Sequence, residues 1–211
     1  MRQFLTQILV CSIFSLSLIS CKIYQPENLT RISTTKTEVE NLYFSSGEDY
    51  IYKCQMEVYG NDISGIVIIK KLSNDAHRVV MTTDFGNKMI DFEISQSDFK
   101  LNYVLPDLDK KMVINFLKND FRILLKHRYP VLETFENTDS RIFTSKDDKN
   151  LTYLFFDKNS DLLKNMVIAE NNKEKINISF DAKKHIFADN IDIQHKDIKI
   201  KIKLTQISKE N

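Results

Sequence analysis

The sequence predicts a mostly β (α+β) domain, with about ten or eleven antiparallel strands in one strongly curved sheet and a single inserted helix. Three observations carry this. From Tyr50 to Leu105, apolar and polar residues alternate, and turn residues return every ten to thirteen positions. Between Pro106 and Pro130 the apolar period changes to three and four. From Arg141 to Leu204 the strand pattern resumes.

The first strand holds Tyr50, Tyr52, Cys54, Met56 and Val58 on one face, with Ile51, Lys53, Gln55 and Glu57 on the other. Gly60-Asn61-Asp62 turns it into a β-branched strand from Ile63 to Leu72. Ser73-Asn74-Asp75 leads to a strand over His77–Asp84, and Phe85-Gly86-Asn87 is a tight turn. Ile90, Phe92 and Ile94 then alternate with Asp91 and Glu93, and Phe99, Leu101, Tyr103 and Leu105 with Lys100 and Asn102. Val113, Phe116, Leu117, Phe121 and Leu124 form one face of a helix over about residues 108–125, with Asp107 or Asp109 as its N-terminal cap. Strands follow at 141–145, 151–157, 162–169, 175–181, 190–195 and 198–204, the last with a lysine face suited to protecting an edge.

Such a sheet must bury one face, and the helix must bury its stripe. The economical solution puts the helix in the mouth of the curve. The inside is then lined by Tyr52, Met56, Met81, Ile90, Phe92, Leu101, Tyr103, Val113, Phe116, Leu117, Phe121, Tyr153, Phe155, Ile178 and Phe180. Pattern alone leaves open whether this inside is a cavity or a filled core.

Hydrophobic residues make up 42% of the 211, enough to build a core in one domain. Only Arg2 is charged within residues 1–20, so one of the 30 basic side chains lies in the leader and the remainder faces 29 acidic ones. A balanced surface argues against nucleic acid as a partner. The chain is expected to act as a monomer. Cys54 is the one thiol of the body, read as a small buried hydrophobe with no activating neighbour.

Met1-Arg2-Gln3 followed by the apolar Phe4–Ile19 has the build of a secretory leader, short for a membrane span. It ends Leu18-Ile19-Ser20-Cys21, which resembles a bacterial lipobox. The resemblance implies cleavage before Cys21 and acylation of its thiol, with two or more chains giving a stable anchor. By analogy with two-membrane bacteria, Lys22 after the anchor points to the outer membrane, here at its periplasmic face. The expected organisation is a signal peptide over 1–20, an anchor and polar tether over 21–41, and one domain over 42–211.

The body resembles the LolA/LolB-like lipoprotein-carrier superfamily, most nearly LolB-like outer-membrane lipoproteins. The resemblance rests on Val79-Val80-Met81-Thr82-Thr83-Asp84-Phe85-Gly86-Asn87, the alternating Lys88–Ile94, and the Phe116–Leu125 segment in the place of the family's helix. It implies an incomplete β-barrel whose helix covers an apolar cavity. It also implies that Phe85, where the family has a leucine, projects and touches the membrane. The alternative is that Phe85 folds back onto the sheet.

No paired-cysteine, His-x-x-x-His or EF-hand spacing suggests a metal, and no phosphate loop or nucleophile elbow suggests catalysis or a cofactor. His77, His127, His185 and His195 read as exposed turn and strand-end residues. Two functions are expected to compete. One is a lipid-anchored, non-enzymatic binder of acyl chains or another apolar ligand, assisting lipoprotein or lipid transfer. The other is a docking platform in an envelope assembly.

Overall fold

The computed structural model describes residues 24–207. Its strands are β1 Thr30–Ile32, β2 Glu38–Glu40, β3 Tyr50–Val58, β4 Asn61–Lys71, β5 His77–Thr82, β6 Lys88–Ile94, β7 Phe99–Val104, β8 Arg128–Pro130 and β9 Glu133–Glu136. They continue with β10 Ser140–Asp147, β11 Asn150–Asp157, β12 Leu163–Glu170, β13 Lys173–Asp181, β14 Asn190–His195 and β15 Ile200–Gln206. One α-helix, α1 (Lys111–Leu124), follows a short 3-10 turn at Pro106–Leu108.

Thirteen of these strands form one antiparallel sheet in the order β1-β9-β10-β11-β12-β13-β14-β15-β3-β4-β5-β6-β7, and β2 pairs with β8 apart from it. The C-terminal β15 pairs with β3, Leu204 opposite Cys54, and so welds the two meanders into one surface. The ends, β1 and β7, do not meet, and the sheet stays an open, unclosed barrel.

The eleven expected strands are present. The additional ones, β1, β2, β8 and β9, have only three or four residues, too few to show a period. Residues 24–41 therefore differ from the expected tether. They carry β1 and β2, and they place Val39 and Asn41 in the interior at 6% and 0% exposure.

One face of the sheet and the apolar face of α1 share a single core. Tyr52, Met166, Ile178 and Leu124 are all at 0% exposure, so the interior is filled. Phe121 of α1 meets Phe92 of β6 edge-on at 5.6 Å. Met56, Met81, Ile90, Val113, Phe116, Leu117 and Phe180 belong to the same core.

Four expected lining residues sit elsewhere. A β-bulge between Asp91 and Phe92 leaves Asn102 without a partner, so Leu101 lies opposite Phe92 but Tyr103 opposite Asp91. Tyr103 thus turns to the outer face, and Leu101 stays half exposed on the edge strand. Tyr153 and Phe155 belong to a second, outer cluster with Phe135, Ile142 and Val167, packed by Tyr24 and Leu29. The unbroken apolar run of β11 is a strand covered on both faces, and the N-terminal segment supplies the second cover.

Candidate functional site: a cleft at one end of the sheet

The registers place several turns at one end of the sheet. They are Tyr59-Gly60 between β3 and β4, Thr83–Asn87 between β5 and β6, Asn171-Asn172 between β12 and β13, and Lys196–Lys199 between β14 and β15. The start of α1 lies there too, because β7 runs toward that end. In the β3–β4 turn, Tyr59 and Gly60 both have positive φ, 50° and 83°, as a two-residue hairpin requires.

Between the first turns of α1 and the ends of β12, β13 and β14 lies a cleft of about 670 Å³. Its rim is apolar. Met112, Tyr59 and Ile198 are 47%, 46% and 37% exposed around it, and Phe116 and Ile176 form its wall. Ile198, expected within the last strand, stands in the turn before it. Asn115, Asn119, Glu170, Lys175 and Asp197 add polar groups, the last two as an ion pair.

Asp120 and His195 also line the cleft. Asp120 is fully buried, its Oδ2 is 2.9 Å from His195 Nε2, and its Oδ1 has no hydrogen-bond partner. Burial pushes the Asp120 carboxyl up from its ordinary value, and the hydrogen bond from His195 opposes that rise. The pair joins α1 to β14 across 75 positions of sequence, a separation that local pattern does not reveal. His77 is likewise buried, 3.1 Å from the Phe44 carbonyl, and burial lowers its pKa. Of the histidines expected at exposed positions, His77 is thus interior and His195 is partly buried.

The two ends of α1 are held unequally. At the C-terminal end, Asn41 Nδ2 donates to the Leu124 carbonyl at 3.0 Å, and Tyr129 Oη donates to that of Ile123 at 3.2 Å. Arg122 donates to the Ser95 and Asp98 carbonyls at 3.1 and 3.2 Å. Carbonyls that a helix end leaves orphaned are satisfied there. At the N-terminal end Lys110 occupies the cap position, no side chain caps the helix, and no acidic residue lies in the first turn. Neither Asp107 nor Asp109 acts as the expected cap. The basic start opposes the helix dipole.

Phe85 projects from the β5–β6 turn at 95% exposure. Gly86, with φ at 85°, and the hydrogen bond from Gly86 N to the Thr83 carbonyl at 2.9 Å close that turn. Just behind it, Asp91 accepts two hydrogen bonds from Arg78, at 2.9 and 2.7 Å, and one from Lys88 at 3.0 Å. The Arg78 guanidinium above all holds the Asp91 carboxyl well below the usual carboxylate range. The hairpin that presents Phe85 is therefore rigidly braced. Cys54 is buried, and burial pushes its thiol up to about 12, so it is a packing residue. Leu18, Ile19, Ser20 and Cys21 lie outside the described residues.

No protein-family model matches the chain, and no curated protein matches it significantly. Solved structures do resemble it. A LolA superfamily protein from Nitrosomonas europaea superposes with a TM-score of 0.56 at 7% identity, over 80% of this chain and 87% of that one. A DUF1329 family protein from Desulfovibrio piger gives 0.45 at 9% identity, over 78% and 86%. A domain from Vibrio parahaemolyticus assigned to outer-membrane lipoprotein sorting gives 0.47 at 10%, over 77% and 85%. The first of these superpositions establishes a LolA-like fold for the chain. At these identities the likeness is one of fold.

Proposed function

We propose that this is a lipid-anchored envelope domain that takes up an acyl chain or another apolar ligand between α1 and the sheet, and exchanges it with a bilayer. The anchor is Cys21 at the end of Leu18-Ile19-Ser20, the membrane is the outer one at its periplasmic face, and the domain uses no cofactor. The observation that carries the proposal is the unequal hold on α1 beside a cleft whose mouth exposes Tyr59, Met112 and Ile198. The well-capped C-terminal end acts as hinge, and the uncapped N-terminal end lifts.

The interior is filled, so a ligand must displace side chains. Exposing Val113, Phe116 and Leu117 costs about 6 kcal/mol in total. About eight acyl methylenes at ~0.8 kcal/mol each offset that. A longer chain therefore opens the helix with free energy to spare, and the bilayer, equally apolar, can take it back. Phe85 is the contact through which the domain meets that bilayer, an aromatic ring on a braced, exposed turn.

The filled core also favours a second reading, a docking platform with no ligand. One experiment weighs the two. The chain beginning at Lys22 is titrated with a fluorescent fatty acid, and transfer from the complex to vesicles is followed. Saturable uptake supports the carrier. Phe85→Glu then leaves uptake intact and slows transfer about tenfold or more, since an apolar contact worth over 1.4 kcal/mol is lost. No uptake sinks the carrier in favour of the platform, and unchanged transfer in Phe85→Glu removes its role at the membrane.

A further inference from the structure

The N-terminal segment fixes more than an attachment point. Tyr24 is built into the fold: its hydroxyl donates to Glu174 Oε2 at 2.9 Å, and the Tyr153 hydroxyl donates to its carbonyl. Its ring meets that of Tyr153 edge-on at 6.0 Å, and Leu29 packs into the same outer cluster. From there the chain climbs to β1, where Thr30 pairs with Glu136 near the opposite end of the sheet. Glu174 is the second residue of β13, immediately after the Asn171-Asn172 turn. The described residues therefore start at the end that carries the cleft.

The leash is short. Three peptide units separate Cys21 from Tyr24, a reach of at most about 11 Å. The nine-residue β3 spans the height of the sheet, about 30 Å. Exposed apolar side chains occur at both ends, including Leu42, Leu72 and Ile186 at the far one. Exposure alone does not select an end, but the leash does. The far turns lie well beyond its reach while the Tyr24 contacts hold. The near end presents Tyr59, Phe85, Met112 and Ile198.

We infer that the mature chain stands end-on against a lipid bilayer, with Tyr59, Met112 and Ile198 around the cleft mouth pressed to its surface beside Phe85. The inference rests on the acylation of Cys21. It goes beyond the single contact at Phe85, because it makes the whole turn-bearing end the docking face and Tyr24 the residue that sets the orientation. A ligand leaving the cleft would then pass into lipid without crossing water.

The protein contains no tryptophan, so single replacements report cleanly. Tyr59→Trp, Ile198→Trp and Leu72→Trp are made in the full chain and reconstituted in phosphatidylethanolamine–phosphatidylglycerol vesicles containing lipid brominated near the headgroup. Flotation and labelled-palmitate incorporation report the anchor separately. The expected result is that the first two lose most of their emission and Leu72→Trp keeps its own. Equal quenching of all three, or none in protein that floats, overturns the inference. Protein that neither floats nor takes label contradicts the acylation of Cys21 instead. In that case a chain beginning at Cys21 is coupled through this thiol to maleimide lipid, Cys54 being buried, and the same contrast supports or overturns the docking face.

Discussion

At the scale of single residues, Asp120 is a costly side chain to bury. It is a buried carboxyl with one partner, His195, and one unsatisfied oxygen. His195→Ala removes the one hydrogen bond to that buried group and is expected to cost about 2 kcal/mol at neutral pH. The loss depends on pH. A carboxyl whose folded pKa is raised carries its penalty in full above that raised value, and sheds it as pH falls toward the unfolded one. Removing His195 takes away the group that opposes the rise. The gap in melting temperature between wild type and His195→Ala should therefore be larger at pH 8 than at pH 4.5. Thermal unfolding at the two pH values checks this, and a constant gap would mean that Asp120 does not carry the cost.

At the scale of elements, the decisive asymmetry lies in α1, fixed at one end and bare at the other. Lys110→Asp supplies the missing cap and a favourable charge at the helix start. It is expected to add about 1 kcal/mol of stability and to slow fatty-acid uptake if opening begins there. Uptake at the wild-type rate in a stabilised variant would argue against that opening. The helix itself was legible in the sequence, because Val113, Phe116, Leu117, Phe121 and Leu124 keep a strict period. Its C-terminal contacts were not, since Asn41 reaches Leu124 from 83 positions away, and Tyr129, six positions from Ile123, reaches it only because the chain folds back after the helix. Long strands were legible for the same reason as the helix. The bulge at Asn102 was not, because a single unpaired residue leaves the local alternation intact and merely flips the side chains after it. Tyr103 is the residue that this moved.

At the scale of the whole molecule, the sheet order could not be read from pattern, because β15 finds β3 across 150 positions, Leu204 opposite Cys54. The N-terminal segment hides its place in the fold for a related reason. Tyr24 and Leu29 look like isolated residues in a polar stretch, and only the outer face of β11 gives them a place to pack. Phe85 was legible through its position before Gly86, and its exposure is as the family resemblance implies. The filled interior turns the central claim into one about opening: the closed domain must exchange its own core contacts for a ligand's. Native mass spectrometry of the chain beginning at Lys22, purified from lipid-containing cells, tests this most directly. Bound acyl species that disappear on delipidation and return on incubation with vesicles are the predicted result. A chain that is consistently empty, and stays empty after that incubation, would contradict it.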